Sequence, residues 1–81
     1  MFIRTPQDFG YRFRELRKKQ GLTQVEVAGR AGLKPKTVSG FETGKVCIQL
    51  DTLMRLLAVI GAAVEVKDRE AIQEVKKTLE W

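Results

Sequence analysis

Apolar positions along this chain keep a helical period as far as residue 60 and then change to alternation. Phe9, Phe13 and Leu16 fall four and three apart, with Arg12, Arg14, Arg17, Lys18 and Lys19 mostly on other faces, which predicts an amphipathic helix. Its start is marked by "TPQD": Thr5 can cap, Pro6 suits the first helical position and Asp8 faces the positive end of the dipole. Gly21 ends it. "TQVE" then forms a capping box from Thr23 and Glu26, opening a helix from Gln24 to about Ala31 that can bury Val25 and Ala28 before Gly32 stops it. Pro35 fits the first turn of a third helix, Val38 and Phe41 supply a narrow apolar stripe, and Gly44 terminates it.

Two short helices joined by a tight glycine-containing turn predict a helix-turn-helix. The small residues Ala28, Gly29 and Ala31 suit the crossing. A plain helical hairpin fits the same pattern, and the basic solvent face of the second segment favours the helix-turn-helix. Leu50, Leu53, Leu56, Leu57 and Ile60 give a fourth helix closed by Gly61, and these leucines read as core.

From there "AAVEVKD" alternates, with Ala62, Val64 and Val66 on one side. That reads as a strand, yet no other segment reads as its partner, and a lone strand leaves its backbone groups unpaired. Pairing with the same strand of a second copy would make a two-fold dimer; irregular coil is the alternative. In the tail, Ile72, Val75 and Leu79 share one stripe, which predicts either a short helix or a segment ordered only against a partner.

Charge sharpens this picture. Residues 1–45 carry ten basic and four acidic side chains, a net +6, whereas residues 46–81 carry five and six, a net −1. The basic half suggests a surface that meets a polyanion. With 81 residues there is room for one small core. The single cysteine, Cys47, cannot form an internal disulfide, so a reducing cytosol is the simplest setting, and it is expected to be a small buried hydrophobe rather than a redox thiol. No apolar run approaches the roughly 20 residues that cross a bilayer. "MFIRTPQDFG" lacks the apolar stretch of a secretory signal. Without histidine, a glycine-rich phosphate loop, a metal-ligand cluster or a nucleophile–base pair, neither an enzyme nor a cofactor or metal is expected.

Residues 12–60 resemble the Xre/Cro-type repressor domain through "RELRKKQGLTQVEVAGRAGL", "TVSGFETGK" and the Leu-rich helix that follows. Within that family the whole chain is similar to HipB-type antitoxins, through the opening "IRTPQDFG", the single strand after the last helix and the tail ending "LEW". The resemblance implies a mainly α fold: a four- to five-helix Cro/repressor-like domain over 1–61, one short β-strand over 62–68 that pairs across a dimer, and a tail or short helix over 69–81. It places Gln24 as the glutamine that braces a DNA phosphate from the start of the second helix. Lys34, Lys36, Thr37 and Ser39 match the part of the recognition helix that meets the major groove, where lysine and hydroxyl groups can contact bases or phosphates. Thr43 and Lys45 match the loop that rests on the DNA backbone, and Arg17 and Glu42 match a pair tying the first helix to the third.

Two departures stand out. Lys34 replaces the usual Ser or Thr cap, and Gly40 sits where many relatives place a long DNA-contacting side chain, so fewer side chains are expected to read bases. The function implied is a dimeric repressor of its own operon, bound to a palindromic duplex and neutralising a HipA-type Ser/Thr kinase toxin. The alternative is a stand-alone Xre-type regulator, phage-like or housekeeping, without a toxin. Leu79 and Trp81 are candidates for toxin docking or protease recognition, or simply a frayed end.

Overall fold

The computed structural model describes residues 2–68, so the expectations for the tail over 69–81 lie outside the described residues. Among the described residues four helices form: α1 (Pro6–Lys19), α2 (Gln24–Ala31), α3 (Pro35–Glu42) and α4 (Leu50–Val59). Two of them open with complete capping boxes. The Thr5 hydroxyl accepts from the Asp8 N–H at 3.2 Å while the Asp8 carboxylate accepts from the Arg4 and Thr5 N–H groups. Thr23 and Glu26 repeat the arrangement at 3.0 Å in both directions. Each helix ends the same way. Gly21, Gly32, Gly44 and Gly61 turn the chain at φ 73°, 71°, 77° and 65°. The residue after each glycine donates back into the helix, Leu22 to Arg17, Leu33 to Ala28, Lys45 to Gly40 and Ala62 to Leu57. A side chain at such a left-handed position would cost about 1–2 kcal/mol.

The core draws on every helix: Phe13 from α1; Val27, Ala28 and Ala31 from α2; Val38 and Phe41 from α3; Leu53, Leu56, Leu57 and Ile60 from α4 and its end. Phe13 and Phe41 meet as a tilted ring pair with centroids 5.7 Å apart. The α3 helix packs on α1 and α2, and α4 packs on α2. Two side chains fasten α4 from outside the apolar contact: Gln20 Nε2 donates to the Ile60 carbonyl at 2.6 Å, and Arg55 Nη1 to the Ala31 carbonyl at 3.2 Å.

Several expectations change here. Val25 is 66% exposed, and Val27 takes the core position, because the phase of an eight-residue helix is set by what it packs on. Leu50, read as core, is 72% exposed at the start of α4. Cys47 is exposed, lying in the connection ahead of α4 instead of beneath it. Of the small residues expected at the crossing, Ala28 and Ala31 are buried in the core and Gly29 is exposed. A Cβ on Gly10 would run into the Phe41 carbonyl oxygen, so α1 and α3 meet across a bare backbone, while Gly29 looks into open space. Residues 62–68 hold neither helix nor strand, and no strand occurs among the described residues. A ladder requires a second strand, and the described residues supply none. Ala62 is half-buried against its own core, whereas Val64 and Val66 are exposed.

Two helical glycines therefore respond oppositely to one added methyl. Gly10→Ala should destabilise by about 1–3 kcal/mol through overpacking, and Gly29→Ala should stabilise by about 0.5–1 kcal/mol through helix propensity. Denaturant midpoints at one fixed protein concentration read both signs; a loss at Gly29 would place that face in a contact.

The capping boxes predict a pH response. The Arg4 N–H first, then the Thr5 groups, hold the Asp8 carboxyl below its usual range, and the Thr23 N–H does the same for Glu26. A depressed folded value adds stability that is present above the ordinary carboxylate range and lost as pH falls through the lowered folded value. Acidification from about pH 5 to about pH 3 should lower the melting temperature, and Asp8→Asn with Glu26→Gln should flatten that fall. Equal slopes in variant and parent would refute the assignment.

Candidate nucleic-acid interface

The segment α2–Gly32–Lys34–α3 has its geometry set from behind. The Schellman turn at Gly32 reverses the chain, and Pro35 begins α3 with φ already suited to a helix. Lys34 occupies the N-cap with extended backbone, φ −81° and ψ 143°, and its side chain makes no cap bond. Its carbonyl accepts from the Thr37 and Val38 N–H groups at 3.0 and 3.4 Å, so α3 starts without a side-chain cap.

What fixes the pitch of α3 is a buried ion pair. Arg17 on α1 meets Glu42 at the end of α3 in a bidentate fork, Nε to Oε2 at 2.7 Å and Nη2 to Oε1 at 2.9 Å. Arg17 is 6% exposed and Glu42 1%. The third guanidinium nitrogen, Nη1, donates to the Leu22 carbonyl at 2.7 Å, and Gln24 Nε2 donates to Glu42 Oε1 at 3.0 Å. Among the described residues no buried side-chain nitrogen or oxygen lacks a partner. The bond to Glu42 raises Arg17 further above its already high ordinary value, against the opposing effect of burial. The Arg17–Glu42 pair thus gathers the end of α1, the turn before α2, the first residue of α2 and the end of α3.

With Val38, Phe41 and Glu42 turned inward, the outer face of α3 carries Lys36, Ser39, Gly40 and Thr43. Lys34, Lys36, Thr43 and Lys45 are exposed, and Gln24, Thr37 and Ser39 are half-buried. These seven positions, read from the sequence as DNA contacts, are not equally free. One Gln24 amide hydrogen is committed to Glu42. The Thr43 hydroxyl donates to the Ser39 and Gly40 carbonyls at 3.0 and 3.3 Å, so its proton closes α3. Lys34, Lys36 and Lys45 make no ion pair among the described residues. Gly40 is not a gap in this face. A Cβ there would collide with Val46 Cγ2, so the loop after α3 folds over the glycine. That contact was not legible from the pattern, because it joins positions six apart through a reversal of the chain.

Residues 13–66 match the family HTH_3, described as helix-turn-helix. The chain belongs to this helix-turn-helix family. It is a regulator domain of the Xre type. An uncharacterized HTH-type transcriptional regulator, y4mF of Sinorhizobium fredii, is 34% identical over 64 residues, 79% of this chain and 84% of that protein. HigA2 of Mycobacterium tuberculosis, named as a candidate antitoxin, is 37% identical over 60 residues, 73% of this chain and 59% of its own length. Among solved structures, the HipB chain of a HipA-HipB-O2-O3 complex aligns at TM-score 0.76 and 26% identity, covering 84% of this chain and 96% of HipB. The restriction-modification controller protein C.AhdI of Aeromonas hydrophila aligns at 0.68 and 33% identity, covering 72% and 88%.

The buried brace of this helix-turn-helix regulator is open to a direct test. Arg17→Met strands a buried carboxylate and should destabilise by about 3–5 kcal/mol. Adding Glu42→Leu to Arg17→Met should recover most of that loss, as read by urea unfolding. A double variant as unstable as the single one would mean that the fork itself carries net stability.

Proposed function

We propose that this chain is a dimeric, sequence-specific repressor and the antitoxin of a HipA-type Ser/Thr kinase toxin, autoregulating the operon that encodes both. What carries the DNA half is the outer face of α3, rich in lysine and hydroxyl groups, on a helix locked from behind. In this reading Lys36, Thr37 and Ser39 approach base edges, Lys34 and Lys45 neutralise phosphates, and Gln24 and Thr43 lie against the backbone. The α3 helices of two copies would enter successive major grooves about 34–36 Å apart on a palindrome.

Dimerisation is supported by what the single chain leaves open. Leu50 and Met54 lie one turn apart on α4 and are exposed, and Val64 and Val66 follow on the same exit from the domain. Ala62 is already occupied by its own core and its N–H by the cap of α4, so intersubunit strand pairing would begin after it. The antitoxin half rests on likeness to HipB, extending over 84% of this chain and including HipB in complex with HipA. A second reading, a stand-alone Xre-type regulator, is favoured by y4mF, which matches over most of its length and is named only as a transcriptional regulator.

Co-expression with the neighbouring gene's product, followed by affinity purification and mass determination, separates the two readings. A stoichiometric kinase-sized partner on a dimer supports the antitoxin; a bare dimer leaves the stand-alone regulator. For the DNA half, Lys36→Ala combined with Ser39→Ala should remove discrimination between operator and random duplex while leaving the fold intact by circular dichroism. Retained discrimination would move the reading surface off α3.

A further inference from the structure

Gly40 and Val46 form a composite position on the outer face of α3. Gly40 lies opposite the buried Val38, Phe41 and Glu42, one turn from both Lys36 and Thr43. A Cβ at Gly40 would overlap Val46 Cγ2 and touch Val46 Cβ at 3.0 Å, so the valine fills the place where a side chain of residue 40 would start. The placement is pinned by backbone: the N–H groups of Lys45 and Val46 both donate to the Gly40 carbonyl, at 2.9 and 3.1 Å. Val46 is 42% exposed, an apolar isopropyl group seated against Gly40 and next in the chain to Lys45.

We propose that Val46 is a specificity determinant of the regulator, contacting the C5-methyl of a thymine in the major groove across Gly40. The inference rests on the DNA-binding reading of α3. A methyl-to-methyl contact is the apolar part of base readout, and no other pair in the groove presents one except thymine with adenine. The absence of a Cβ at residue 40 lets the loop approach closely enough to deliver the contact. Position 40 thereby reads a base through a side chain six residues away. A bulkier residue at 40 would displace it.

The test uses the full chain. Binding sites are selected from random duplexes, and each fixed thymine is then replaced in turn by deoxyuridine, which lacks only the methyl. With the parent protein, one thymine per half-site should lose about three- to tenfold in affinity on that change. With Val46→Ala the same replacement should have no effect. The proposal is overturned if no position is sensitive to the methyl, if the sensitivity survives in Val46→Ala, or if selected sites carry no fixed thymine. Failure to select any duplex would instead remove the DNA-binding reading and this inference with it.

Discussion

The Arg17–Glu42 fork is the constraint on which the rest of the domain depends. A buried charge pair is a poor source of net stability, because removing two ions from water offsets most of their attraction. Its value lies in direction. A guanidinium presents its donors in a rigid plane, and here that plane is used in full: two bonds to one carboxylate and one to the Leu22 carbonyl. Gln24 completes the set from the first residue of α2. Apolar packing of Phe13 on Phe41 would tolerate a range of tilts between α1 and α3; the fork does not. The helix proposed to present its outer face to DNA is therefore held by interactions that lie wholly on its inner side.

The same division explains what could be read from the chain before its fold was known. The Thr23–Glu26 capping box, the Thr5 cap, all four terminating glycines and the Phe13, Leu53, Leu56, Leu57 and Ile60 positions were visible, because each depends on residues within a turn or two of one another. Val25 and Val27 could not be told apart: in eight residues either can anchor a stripe, and contacts from α3 and α4 decide. Gly10 carries no local signal of its role, since only its opposition to the Phe41 carbonyl, thirty-one residues on, makes it necessary. Gln24 was read as a contact for the ligand alone, with no local hint that it also serves Glu42. Gly40 was read as a missing side chain because a pattern cannot show that a loop doubles back to cover it. Alternation over 62–68 marks residues suited to a ladder, but a ladder needs a second strand, and the pattern of one segment cannot supply it.

The α3 helix itself shows how far tertiary contacts override local preference. It alone of the first three helices starts without a capping box, has no acid in its first turn, and carries lysines at 34 and 36, beside the positive end of its dipole. Forgoing the cap costs about 0.5–2 kcal/mol, and each cation near the dipole about 0.3–1 kcal/mol when exposed and unscreened. Burying Val38 and Phe41 contributes about 1.5–3 kcal/mol each, which is enough to offset both penalties. The local conflict then has a direction. Lysines that weaken an isolated helix start lose that disadvantage when a polyanion approaches, since phosphates neutralise them and also meet the free N–H groups of the first turn. The structure stabilises α3 from the core side, and so its outer face is left to be chosen by what it binds.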